Sequence, residues 1–340
     1  YQTISEFESQ LEQHLYRWFD ANLPTLSEEE LATTRQWYSG NPFQGLKAFR
    51  FEHANVFCGR DDAIAEAIEK LKHKASAFQP FLLIVGMSGS GKSSLARAGI
   101  LPALYNPVLL PDRGTILRGV MRPADTAGNP YRALVSAFSA LSANHLVIPA
   151  HVDSLTRMAQ SQPEQFVGEI GQRLQSQSED VTFVLLIDQL EELFTSDAIP
   201  PGQQKAFSAL IAALAEELGI FVIATLRSDC YHHLSNTPDF LRMKQNGGQF
   251  DLSPPELYNI RQMITIPARS ARLHFEEGAK GLGYISLEKN NKVLFVEADI
   301  RRPSVLNVIH KKEQIKMPGF SDIIQGGVNF TDTVINIPGS

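Results

Sequence analysis

The sequence predicts an α/β protein with a mainly parallel sheet flanked by helices. Three observations carry that prediction. Short, continuous apolar runs recur, as strands buried on both faces require. Helical patterns separate the runs, as crossovers between parallel strands demand. One run leads directly into a glycine-rich loop and a helix, Gly86-Met-Ser-Gly-Ser-Gly91-Lys92-Ser93.

The elements follow in order. Residues 5–20 read as an amphipathic helix, with Ser5 and Glu8 as a capping box and Phe7, Leu11, Leu15 and Trp18 on one face. Asn22 to Asn55, with Pro24, Gly40, Pro42 and Gly45, reads as a linker into a new domain. Asp61 is expected to cap a second helix, with Ile64, Ile68 and Leu71 inward. The strands are Phe81 to Val85, Ile116 to Met121 (interrupted by Arg118 and Gly119), Phe183 to Ile187 and Ile220 to Leu226. Between them lie helices from Ser94 to Leu104 and from Gln203 to Leu218. The second carries Phe207, Leu210, Ile211, Leu214 and Leu218 on one stripe. Ser253-Pro-Pro-Glu256 is expected to open a further helix, with Ser at the N-cap and Pro at the first helical position. Val293 to Val296 reads as another buried strand.

Composition narrows the function. The chain has 340 residues, which predicts about two domains. Hydrophobic residues make up 43% and charged residues 20%, so a disordered chain is excluded. A net charge of −6 argues against a general nucleic-acid binder, which needs a basic field. Cys58 and Cys230 are the only two cysteines, which excludes a disulfide framework and fits a reducing, cytoplasmic setting. No apolar run reaches the ~18 residues of a membrane span. The nearest stretch, Ala133 to Val152, carries Ser136, Ser139, Ser142, Asn144 and Pro149 and reads as a semi-buried helix and loop. The chain opens on Tyr1 and is expected to be a segment of a longer protein.

The loop matches G-x-x-x-x-G-K-[ST] between a strand and a helix. Gly86, Gly89 and Gly91 let backbone N–H groups curl around phosphate oxygens, together with Ser88, Ser90 and Ser94 of the same segment. Lys92 is expected to reach the β- and γ-phosphates, and Ser93 to hold Mg²⁺. Roughly 100 residues on, the strand Phe183 to Ile187 ends in Asp188, the expected second metal-shell group. Glu191 and Glu192 follow, and either could act as base on an attacking water, with Glu191 ahead. Gln189 stands directly after Asp188, so the base has to come from further on. Arg227 ends the next strand, where ligands bind in an open parallel sheet; it could sense the γ-phosphate or pair with Asp229 or Asp188. Cys230, His232 and His233 match no zinc spacing and read as a surface loop.

Together these residues resemble the STAND-class signal-transduction NTPases, in particular the prokaryotic novel-STAND group. The resemblance runs over about residues 41–277. It rests on Asn41-Pro-Phe-Gln-Gly-Leu46, Phe57-Cys-Gly-Arg60, the loop from Val85 to Ser94, Gly99-Ile-Leu-Pro-Ala-Leu104 and Arg122-Pro123. Further matches are Leu186-Ile-Asp-Gln-Leu-Glu-Glu-Leu-Phe194, Thr225-Leu-Arg-Ser-Asp229, Leu252-Ser-Pro-Pro-Glu256 and Pro267-Ala268. The resemblance implies a sheet of the "additional strands, catalytic glutamate" class, Arg227 as sensor arginine and Arg60 near the adenine side. It implies ATP and ADP as ligands with Mg²⁺, and a switch between an ADP-bound closed state and an ATP-bound open state. Protein partners or self-association would then run through regions beyond this chain.

Residues 291–340 differ in kind. Lys292-Val-Leu-Phe-Val-Glu-Ala-Asp-Ile-Arg-Arg-Pro-Ser304 and Gly319-Phe-Ser-Asp-Ile-Ile324 resemble part of the bacterial tyrosine autokinases of exopolysaccharide synthesis. The expected organisation is therefore a helix and linker over 1–40, an NTPase core over 41–251, the start of a helical lid over 252–280 and a separate segment over 281–340. The expected function is a Mg-ATP-dependent signalling switch with slow hydrolysis. The alternatives are a nucleotide-stabilised scaffold without turnover or a tyrosine kinase.

Overall fold

The computed structural model describes residues 40–45, 47–106, 114–139, 151–177 and 181–271, with three further short strands at 273–274, 284–287 and 293–295. The helix expected over 5–20 lies outside the described residues. So does most of the separate segment expected over 281–340.

A 3₁₀ turn, Phe51–Val56, overlaps the end of the expected linker and leads to helix α1, Asp61–Ser76. The cap position of α1 is Arg60; Asp61 falls in the first turn, where its charge favours the helix dipole. Strand β1, Phe81–Gly86, is buried at every position. The loop after it feeds one continuous helix, α2, made of Lys92–Ser94, a wide π segment Leu95–Ile100, and Leu101–Leu104. Then come β2, Thr115–Met121, and helices α3, Pro130–Ser139, α4, Val152–Ser161, and α5, Pro163–Gln175. Strand β3, Val181–Ile187, a single turn α6, Glu192–Thr195, and α7, Pro201–Leu218, follow. Gly219 ends α7 in the left-handed conformation, and β4 runs Phe221–Arg227. A 3₁₀ stretch, Ser228–Asn236, helix α8, Pro238–Met243, strand β5, Gln249–Asp251, and helix α9, Leu257–Ser270, complete the core.

The sheet order is β2-β3-β4-β1-β5, and every pair is parallel. β4 therefore lies between the loop strand β1 and the acidic strand β3, the inserted strand that the resemblance implied. Helices cover both faces. Leu82, Ile84, Leu186 and Ile223 pack on α1 and α2 through Leu71, Leu95 and Ile100. Leu83, Val85, Leu185 and Val222 point the other way, onto Phe138, Phe166, Phe207 and Leu214. Burying each such side chain is worth about 1.5–3 kcal/mol relative to exposure. All carboxyl ends of the strands fall on one edge, which is where a parallel sheet offers a site.

One boundary differs from expectation. The helix predicted to open at Ser253 opens at Leu257, with Glu256 extended at the cap. Two consecutive prolines explain this. Ser253 and Pro254 each precede a proline and are driven away from the helical region. Leu252 instead continues off β5, its N–H donating to Val85 O at 2.7 Å. The strand expected at Val293 is present as Val293–Phe295, the edge of a small antiparallel sheet with Leu273–His274 and Tyr284–Leu287.

Candidate functional site

The site begins where β1 ends. Gly91 has φ +89° and Gly89 φ +75°, backbone that favours glycine, and nothing lies within 4 Å of where their Cβ atoms would stand. The loop is thus an open cradle of backbone N–H groups running into a helix N-terminus. Lys92 is buried, and its Nζ donates to Gly86 O at 2.8 Å and to Met87 O at 2.7 Å. An ammonium has three protons, so these two bonds brace the loop and leave one proton for the cradle. Burial pushes the Lys92 pKa down, and Arg227 adds to this; Glu191, Asp188 and Asp229 oppose it. Among the described residues, Ser90 Oγ is buried without a hydrogen-bond partner, an orphaned polar atom inside the same loop. Ser88 is exposed on the loop. Ser94 Oγ accepts a bond from Phe49 N at 3.1 Å and so ties down the segment before α1.

Asp188 sits just past β3 at 2% exposure. Its Oδ1 accepts from Ser93 Oγ and from Thr225 Oγ1, each at 2.7 Å. Its Oδ2 accepts from Arg97 Nε at 2.8 Å. Thr225 and Arg97 have no assigned role in the sequence reading. Thr225 was detectable as a hydroxyl near the end of a strand otherwise apolar up to Arg227, which must find a partner when buried. Arg97 was detectable as a charge four residues beyond Ser93 on an apolar helix, hence on the same face.

The two glutamates separate. Gln189 adopts φ +60° and its N–H donates to Thr225 Oγ1 at 2.8 Å, a tight turn that folds the chain back over β4. Glu191 is thereby buried at 8% exposure, and its Oε2 accepts from Arg227 N at 3.2 Å. Burial pushes the Glu191 carboxyl up, against bonds from its own and the Arg227 backbone and the charges of Lys92 and Arg227. Glu192 points elsewhere. It pairs with Arg122 at 3.1 Å and accepts from Ala124 N at 3.1 Å. The Arg227 guanidinium lies at the surface, its Nε donating to Asp229 Oδ1 at 3.1 Å. That pair raises the Arg227 pKa and lowers that of Asp229.

Arg60 joins the loop to the segment after β5. It donates to Ser90 O at 3.3 Å and to Ser253 O at 2.9 Å, and burial pushes its pKa down. Beside it opens a cleft of about 350 Å³, lined by Gly59, Glu66, Leu252, Pro255 and Asn259 among others. Gly59, at φ +74°, lets α9 approach: a Cβ there would stand 2.5 Å from Asn259 O.

A hydroxyl and a carboxylate meeting at 2.7 Å are hard oxygen donors that suit Mg²⁺. No group of three or more His, Cys, Asp or Glu among the described residues could hold a metal ion by itself. A cation at Ser93 and Asp188 therefore fits only with phosphate oxygens and water completing its shell. Cys230, His232 and His233 do not converge: Cys230 is buried, while the two histidine rings are tilted against each other with centroids 4.0 Å apart and His233 stacks on Phe194.

The sheet order, the glycine loop and the acidic strand end define an α/β P-loop NTPase domain. The chain belongs to the novel STAND NTPase 1 family, whose model matches residues 42–290. Comparison with curated proteins gives no significant match. Among solved structures, the chain is similar to the ORC2 protein of Aeropyrum pernix in its ADPNP–ADP complexes. Identity is 11%, TM-score 0.45, and coverage 62% of this chain and 52% of that one. It is also similar to the Aeropyrum pernix ORC1 protein in complex with DNA, with identity 17%, TM-score 0.43, and coverage 64% and 51%. A Walker-type ATPase of Pyrococcus abyssi matches at 17% identity and TM-score 0.38, covering 63% and 58%. The chain thus spans little more than half the length of these structures. No helix among the described residues is long and apolar enough to cross a membrane.

Proposed function

We propose that this protein is a Mg-ATP-dependent signalling switch that hydrolyses ATP slowly, in a reducing, cytoplasmic setting that its free cysteines suit. The observation that carries the reading is the division of labour after β3. Glu192 is committed to Arg122, whereas Glu191 is buried beside Lys92 and Arg227, and no side-chain cation among the described residues is bonded to it. In this reading the loop amides and Lys92 bind the β- and γ-phosphates of ATP. Ser93 and Asp188 hold Mg²⁺, which supplies charge neutralisation at the phosphates when bound. Glu191 orients and deprotonates the attacking water, and its raised pKa makes it the stronger base. Arg227 exchanges Asp229 for the γ-phosphate, the contact that separates an ATP-bound from an ADP-bound state.

The test is phosphate release by the purified chain. Glu191→Gln is expected to lower turnover by about 100-fold or more while retaining ATP affinity. Glu192→Gln is expected to lose stability instead, with turnover of the folded fraction retained. Wild-type turnover no higher than that of Glu191→Gln, with ATP still bound, would replace the hydrolytic switch with a nucleotide-stabilised scaffold.

A further inference from the structure

Arg97 lies in the wide π segment of α2, and helical turns of this kind gather at functional sites. Its Nε donates to Asp188 Oδ2 at 2.8 Å; the carboxylate is 3% exposed and the Arg97 side chain 23%. The other carboxylate oxygen accepts two hydroxyl protons, from Ser93 and Thr225. A carboxylate this buried is costly unless a cation pairs with it, and the guanidinium supplies that cation. The remaining cations near the site have other duties. Lys92 braces the loop, and Arg227 pairs with Asp229.

We propose that Arg97 is the resident counter-ion of the metal site. It neutralises Asp188 in the nucleotide-free protein, so that free Mg²⁺ is rejected and the cation enters only with nucleotide phosphates. The inference rests on Ser93 and Asp188 being the metal shell. The electrostatics are direct. A divalent cation arriving alone meets one neutralised carboxylate, one hydroxyl and a guanidinium that repels it. Mg²⁺ gives up its water reluctantly, and this donor set offers too little negative charge to compensate. Phosphate oxygens change the balance. Arg97 meanwhile keeps the Asp188 carboxylate in one plane, a positioning role without contact to substrate.

The experiment is thermal melting of nucleotide-free protein over a MgCl₂ series. The wild-type melting temperature is expected to move by less than about 1 °C, while Arg97→Met starts lower and rises by roughly 3 °C or more, because Mg²⁺ replaces the lost positive charge. Arg97→Lys retains the charge and is expected to stay as flat as wild type. Adding Asp188→Asn to Arg97→Met is expected to abolish the response. A Mg²⁺ response equal in wild type and Arg97→Met overturns the proposal, as does one that survives in the double variant. Calorimetric titration of Mg²⁺ into nucleotide-free wild type is independent of any variant's folding, and tight binding there overturns it too. Binding of a fluorescent ATP analogue with Mg²⁺ or with a chelator separates the two layers. Equal affinity removes the metal-shell reading itself. Mg²⁺-dependent affinity with a flat Arg97→Met melt removes only the role of Arg97.

Discussion

Two buried lysines flank β1, and they do opposite things. Lys74, in the last turn of α1, is 1% exposed and donates to Gln79 Oε1 at 2.8 Å and Gln245 O at 3.1 Å. Lys92, beyond the other end of the strand, is 8% exposed and donates to two loop carbonyls. Burial pushes both pKa values down. Burial and backbone bonding therefore do not distinguish them. Their surroundings do. Lys74 is closed in by protein acceptors, with the Glu216–Arg242 pair nearby. Lys92 lies under a glycine cradle with open space above Gly89 and Gly91, an orphaned Ser90 hydroxyl and two buried carboxylates. A buried charge whose partners are all protein atoms acts as a clip. A buried charge beside an unfilled concavity marks a site.

The largest expected effect tests that difference directly. Lys92→Ala is expected to weaken Mg-ATP binding by about 100-fold or more, since a charge-assisted contact to phosphate is lost. Its melting temperature should fall as well, since Gly86 O and Met87 O lose their donor. Lys74→Met is expected to lower stability alone. It strands the Gln79 and Gln245 oxygens, costing about 1–3 kcal/mol of stability, and leaves ATP affinity intact. Calorimetric titration and thermal melts of both variants read the contrast. Equal losses of affinity would erase it.

Thr225→Val asks which kind of group Thr225 is. The change keeps the shape but removes the hydroxyl joining Asp188 to the Gln189 turn. It is expected to cost about 1–3 kcal/mol in denaturant unfolding and to lower turnover of the folded enzyme several-fold. A stability loss with normal turnover would put Thr225 with Lys74 among the clips.

How much of this was legible in the sequence depends on whether the information is local. β1, β3 and β4 were legible because strands buried on both faces leave unbroken apolar runs. The glycine loop was legible because its backbone geometry requires particular residues at fixed spacing. β5 was not, since Gln249-Phe-Asp251 is a three-residue edge strand with one buried side chain. The start of α9 was misplaced because a good cap sequence competes with two prolines, and the prolines win. Spacing put Glu191 ahead, but how far Glu191 and Glu192 diverge could not be read from it. That divergence depends on the left-handed turn at Gln189, held by Thr225 from a neighbouring strand. Arg97 could be placed on the Ser93 face of its helix, but its partner was not legible, because that partner lies 91 residues away in sequence.

The smallest expected effect concerns Glu191 and has a sign that divides clip from site. Burial raises its pKa above the ordinary value of 4.5. Between that value and the folded one, the native state keeps a proton that the unfolded chain has released. The stability from this group is therefore present at low pH and lost as pH rises through the folded pKa. Glu191→Gln cannot ionise and escapes that loss. The melting temperature of Glu191→Gln relative to wild type should thus climb as pH rises above the ordinary value of 4.5, with little difference at the acidic end. The opposite slope would mean that the Glu191 charge is fully paired in the folded protein. Glu191 would then be a clip like Lys74, and a carboxylate with nothing left over for a water.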